Sequence, residues 1–187
     1  PVPVPPGTVT TGLTVNEDGC SADSLTYCGA VTATVGADES WDWFVATAIE
    51  REWVGLEALS GWSGTVGEAA AANVQAFGQS VADTLSGVHT WDRQTGSRRY
   101  LAVADCGFRP GGSRLSRERI TDGPLRYAPL QVSFLLPQGD ITAPIRDESL
   151  TDLLGVEPGS RVPLSRVRAA VLSERSGPTD RFGRDRS

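Results

Sequence analysis

Apolar residues recur at helical spacing most persistently between Ser40 and Gly87. Trp41, Phe44, Val45, Ala48, Ile49, Trp53, Leu56 and Leu59 return at steps of three and four, with Asp42, Glu50, Arg51 and Glu57 between them. Such a stripe predicts an amphipathic helix from Ser40 to Leu59. A glycine-bearing turn follows, and Thr65-Val66-Gly67-Glu68 has the form of a capping box, in which a hydroxyl and a carboxylate satisfy the orphan amides of a new helix. Val66, Ala70, Val74, Phe77, Val81 and Leu85 supply its stripe, and Gly87 is placed to end it. Two striped helices joined by a short link predict a helical hairpin whose shared apolar face must be covered.

Period-two segments supply the cover. Thr8 to Val15, Leu25 to Val35, Arg98 to Cys106 and Leu125 to Leu136 alternate in the manner of strands. Pro129 places the last at an edge or at a bulge, because proline cannot donate to a ladder. Val88 to Gly96 reads as loop, and 107–123 as a long arginine-bearing loop. Ser149–Leu154 and Pro163–Arg175 read as two further helices with Gly155 and Gly177 behind them. The expected fold is α+β: a mainly antiparallel sheet of about four strands covered by a helical hairpin. Residues 1–7, with four prolines, read as an extended N-terminal arm, 8–175 as a single domain and 176–187 as a C-terminal arm.

Composition narrows the chemistry. With 187 residues, 39% hydrophobic, 21 glycines and 12 prolines, the chain predicts one modest core with many turns. All 17 basic residues are arginine, a bias that fits a GC-rich coding genome, and the lack of lysine excludes Schiff-base lysine chemistry. Residues 1–90 hold one arginine against eleven acids, whereas 91–187 hold sixteen arginines against twelve acids. That asymmetry allows either internal pairing or steered association between copies. Cys20, Cys28 and Cys106 leave an odd thiol over, which favours reduced cysteines. No export-type apolar run or membrane-spanning window stands in the sequence, so the expected location is cytoplasmic or within a virion-like particle, without membrane.

Few residues suggest catalysis. Cys106, His89 and Asp92 are the set from which a cysteine nucleophile, its base and an orienting carboxylate could be assembled. Gly61-Trp62-Ser63-Gly64-Thr65 lacks the final glycine of a nucleophile elbow. Glycines 61, 64 and 67 match neither a P-loop nor a dinucleotide fingerprint, metal-ligand spacing is absent, and no cofactor is called for. Glu50 and Glu57 form a pair of carboxylates, expected on the solvated face of the first helix. Arg109, Arg114, Arg117 and Arg119 on the long loop, with Arg181, Phe182, Arg184 and Arg186 on the tail, are the candidate partner-binding residues. Interleaved acids disfavour nucleic acid.

These features predict a non-catalytic structural or assembly subunit, such as a virion, tail or neck component of a phage of a GC-rich bacterium. Its partners would be copies of itself or other subunits, whose surfaces hold the two arms in place. Two alternatives are a small cysteine-dependent hydrolase using Cys106 and His89, and a nucleic-acid- or ligand-binding module using the 107–123 loop.

Overall fold

A computed structural model of the chain describes residues 2–8, 11–16, 29–121 and 123–176. Seven strands alternate with six helices: β1 (Leu13–Asn16), β2 (Ala30–Gly36), α1 (Trp41–Glu50), α2 (Val66–Ala72), β3 (Gln75–Ala76), β4 (Gln79–Ser80), α3 (Val81–Thr84), β5 (Leu85–Asp92), β6 (Ser97–Ala102), α4 (Arg114–Arg117), β7 (Tyr127–Pro137), α5 (Glu148–Leu154) and α6 (Leu164–Ser176). Five strands form one antiparallel sheet in the order β1-β2-β7-β5-β6, and β3-β4 is a separate hairpin. The α+β class with an antiparallel sheet therefore holds.

One face of the sheet carries the core. Val31, Ala33 and Val35 on β2 and Val132, Phe134 and Leu136 on β7 are buried against Trp41, Phe44, Val45 and Ala48 of α1 and Val66, Ala69 and Ala70 of α2. Trp41, Phe44 and Phe134 stack within 6.1 Å of one another, and the Trp41 indole donates to the Leu59 carbonyl (3.0 Å). The other face is polar: Thr34 and Ser133 share a hydrogen bond across β2 and β7, and exposed His89 and Tyr100 pair across β5 and β6. One-sided burial of this kind is the antiparallel pattern of alternating apolar and polar positions. Gly67 lets α2 lie close on the sheet, since a Cβ there would meet Ala37 Cβ at 2.9 Å and Pro129 Cβ at 3.2 Å. A second core gathers Ala58, Ile145, Leu150, Leu154, Val162, Val167 and Val171 beneath α5 and α6.

The predicted helical hairpin is replaced by shorter pieces. The first helix stops at Glu50, because Glu52 takes a positive φ of 59° and Gly55 one of 112°; Glu57–Leu59 form only a single 3₁₀ turn. The capping box is present, with Thr65 and Glu68 bonded reciprocally, yet the helix it opens runs only to Ala72. Asn73 ends it in the left-handed conformation (φ 48°), and its side chain accepts from the Ala82 amide and donates to the Arg109 carbonyl. The helical spacing of Val66 to Leu85 is thus shared among a helix, a hairpin, a single helical turn and a strand; Val66, Ala70, Val74, Val81 and Leu85 bury in the first core, and Phe77 packs on the second. The expected loop at 88–96 is in fact central strand β5 and its turn into β6. β7 is also central, and Pro129 sits at a register shift where His89 faces Gln131 and Thr90 faces Pro129, so the bulge is realised and not the edge. The 107–123 loop contains α4, capped by Ser113.

The N-terminal arm is hydrogen-bonded to its own chain. The Val2 amide donates to the Arg93 carbonyl (2.9 Å), the Trp91 indole donates to the Val2 carbonyl (3.4 Å), and Arg98 reaches the Thr8 carbonyl. Arg181, Phe182, Arg184 and Arg186 lie outside the described residues. Among the described residues, no helix is long and apolar enough to cross a membrane.

Candidate functional site

The sequence-derived catalytic set is dispersed. Cys106 is fully buried and donates to the Leu101 carbonyl (3.8 Å); burial, assisted by the Asp105 charge, pushes its thiol up to about 11. His89 is exposed on the polar face of the sheet, its ring 4.8 Å from that of Tyr100. A thiol held protonated inside the core, with the imidazole on the solvent side, gives no nucleophile and base pair.

Asp92 belongs to a different arrangement. Its carboxylate is buried at the end of β5, takes two hydrogen bonds from Arg126 (3.0 and 2.8 Å) and one from the Gln94 amide (2.9 Å), and lies 3.6 Å from Arg99. The Arg126 guanidinium holds its pKa down at about 2 against the opposing effect of burial. Arg126 also lies 3.6 Å from Glu118, which Arg114 engages from the next helical turn. Both guanidiniums lie over Tyr127, 4.9 and 5.4 Å from its ring centroid. Each charge in this ladder is answered by another, which is the mark of a structural clasp between β5, β7 and α4. Arg114 is committed to the clasp, and Arg117 donates to the Gly107 carbonyl (2.8 Å), whereas Arg109 and Arg119 are exposed.

Backbone strain points elsewhere. The three described non-glycine residues with positive φ are Glu52 (59°), Asn73 (48°) and Phe77 (49°), and Gly55, Gly61, Gly64 and Gly78 add four more left-handed positions within the same stretch. At the three non-glycine positions such conformations cost about 1–3 kcal/mol each, and outliers of this kind gather where a site must be pre-shaped. Phe77-Gly78 is the two-residue turn between β3 and β4, with both φ values positive as type I′ geometry requires. A bulky aromatic takes the first position because its ring packs on the second core. The hairpin residues Gln75 to Ser80, with Asp83, line an open cleft of about 370 Å³.

A buried carboxylate holds this segment together. Glu57 is 1% exposed, where the sequence pattern expected it in solvent, while its proposed partner Glu50 is exposed on α1. Its Oε2 accepts from the Gly55 amide (2.7 Å), its Oε1 accepts from the Gln79 side-chain amide (2.9 Å), and the Gln79 carbonyl oxygen accepts from the Ala58 amide (2.9 Å). Glu57 and Gln79 thus interlock the 55–59 turn with the β3-β4 hairpin. Sequence reasoning missed this pair; the available signal was a carboxylate set inside the apolar run Leu56-Glu57-Ala58-Leu59.

The head of α2 is closed to anions. Amides of Val66, Gly67 and Glu68 already donate to the Glu39 carbonyl, the Ala37 carbonyl and the Thr65 hydroxyl, and the Gly61 amide donates to Asp42. Among the described residues, no group of three His, Cys, Asp or Glu side chains is placed to hold a metal ion. The candidate site is therefore the strained stretch 52–84, with Glu57 and Gln79 at its centre.

Comparison with known proteins bears on this assignment. No protein-family model matches the chain. It is 40% identical over 167 residues to the UDP-N-acetylenolpyruvoylglucosamine reductase of Cutibacterium acnes, covering 89% of this chain and 43% of that protein. It is 42% identical over 147 residues to the reductase of the same name from Salinispora arenicola, covering 79% of this chain and 39% of that one. The crystal structure of the Thermus caldophilus UDP-N-acetylenolpyruvylglucosamine reductase superposes with a TM-score of 0.54 at 23% identity, over 79% of this chain and 44% of that chain, a likeness of fold. The chain thus spans about two-fifths of the length of the relatives it matches. These relatives are enzymes, and they overturn the expectation of a phage virion, tail or neck subunit joined to copies of itself or to other subunits.

Proposed function

We propose that this chain forms part of an enzyme that reduces UDP-N-acetylenolpyruvoylglucosamine, and that the 52–84 segment lies where the nucleotide sugar is held. The observation that carries this reading is the 40% identity over 167 residues with a reductase of that name. The three described non-glycine residues with positive φ, Glu52, Asn73 and Phe77, all lie in 52–84, and with the neighbouring cleft they support the choice of segment. A charged nucleotide sugar does not cross bilayers unaided, so the activity belongs in the cytoplasm. A reductase moves a hydride, which amino-acid side chains do not carry, so a redox cofactor replaces the cofactor-free expectation. The head of α2 does not fit a phosphate of such a group, because its first amides are already bonded within the chain.

Calorimetric titration of the chain with UDP-N-acetylenolpyruvoylglucosamine tests the reading. Saturable binding is expected in the range of about 1 μM to 1 mM typical of enzyme substrates, weakened by Glu57→Gln. No binding by about 1 mM, or affinity equal to that for the same nucleotide sugar without its enolpyruvoyl group, would overturn it.

A further inference from the structure

We infer that Arg168 is a positioning residue: through Asp42 it fixes the Gly61 turn at the edge of the 52–84 segment, so that α6 sets the shape of the candidate site from behind. As a statement about the site, it rests on the function proposed above. On α6, Val167 and Val171 face the second core, while Arg168, Leu172 and Arg175, spaced by four and three, form a neighbouring stripe. The Arg168 guanidinium grips Asp42 of α1 with both nitrogens, Nη1 to Oδ1 at 2.7 Å and Nη2 to Oδ2 at 2.9 Å. The same Oδ1 accepts the Gly61 amide at 2.6 Å. One carboxylate oxygen therefore ties a guanidinium of α6 to the backbone of the turn. The charge-assisted bonds from Arg168 hold the Asp42 carboxyl below its usual range, so it stays an acceptor for Gly61.

Packing closes the same turn. Gly61 has a φ of 73°, and a Cβ on it would lie 2.7 Å from Leu172 Cδ2 and 3.0 Å from Arg175 Cδ. The other turn of the segment also meets the C-terminal part: Phe77 packs on the second core, and a Cβ on Gly78 would lie 3.1 Å from Asp147 Cβ, ahead of α5. Ala58, three residues before Gly61, is buried in the same core as Val167 and Val171. The α5-α6 unit therefore backs both turns of the segment, and among the described residues Arg168 is its bidentate ionic hold.

Amide exchange and ligand binding on Arg168→Gln and Asp42→Asn test the inference, with Arg168→Lys as the conservative variant. Exchange at the Gly61 amide should rise about tenfold in both variants, while the core amide of Val132 keeps its protection, and Arg168→Lys should fall between. Affinity for UDP-N-acetylenolpyruvoylglucosamine should fall about fivefold, the scale of one weakened hydrogen bond. Gly61 exchange within about twofold of the parent in both variants would overturn the link from α6 to the turn. Faster exchange with unaltered affinity would overturn its role at the site. Faster exchange in a chain whose parent binds no nucleotide sugar would support the link and defeat the functional reading alone.

Discussion

Two carboxylates are buried among the described residues, and they are buried differently. Asp92 sits at the end of a sheet strand with a bidentate arginine, a second arginine at 3.6 Å and a backbone amide, so its charge is answered locally. Glu57 sits in a 3₁₀ turn, where its hydrogen-bond donors are neutral: a glycine amide and a glutamine side chain. An ion pair fixes whatever elements carry its two ends, and here those are strands of the central sheet. A carboxylate fed by amides fixes backbone, and the backbone it fixes is the strained stretch between two cores. Charge alone does not tell a clasp from a template; the chemistry of the donors does.

The largest test of the contrast removes the clasp. Asp92→Ala takes the bidentate acceptor from Arg126, leaving it only Glu118 at 3.6 Å in a site 21% exposed, and urea unfolding should show a loss of about 3 kcal/mol. Next comes acid. Asp92 is depressed from 3.8 to about 2, so its contribution is present above pH 4 and is lost as pH falls through 2; about 2 kcal/mol should vanish across that window in the parent and not in Asp92→Asn. Glu57→Gln turns an acceptor into a donor facing the Gln79 amide, and stability should fall by about 2 kcal/mol, with Glu57→Gln/Gln79→Glu recovering most of it. Equal and additive losses in that pair would break the interlock. Smallest is Arg99→Ala: its guanidinium is half exposed and 3.6 Å from Asp92, so less than about 0.5 kcal/mol is expected in the same unfolding assay.

What the sequence shows of the fold follows from which signals are local. The Thr65-Glu68 box, the Ser40 start of α1, the stop at Gly155 and the strands β2 and β7 rest on neighbouring residues, and all were legible. The second helical stripe misleads because burial is a property of the folded surface: Val66, Val81 and Leu85 point to one core from three different elements. Asn73, whose side chain bonds residues 9 and 36 positions away, ends that helix through contacts no window of sequence contains. β5 lacks a legible strand pattern because His89 and Asp92 break its apolar positions, one facing solvent on the polar side and the other buried by an arginine 34 residues on. The candidate site was the least legible part. Left-handed φ at Phe77 is set by tertiary packing, and the burial of Glu57 depends on Gln79, 22 residues along.

Gly67 carries one more lesson. It lies inside a helix with ordinary torsions, so flexibility is not its office; the missing methyl group is. With Ala37 and Pro129 already at contact distance, the gap between helix and sheet there is one carbon too narrow for alanine. A tool carved for this joint would be gauged by an absence, and filling it would lift the helix, with the turn that heads it, off its bench.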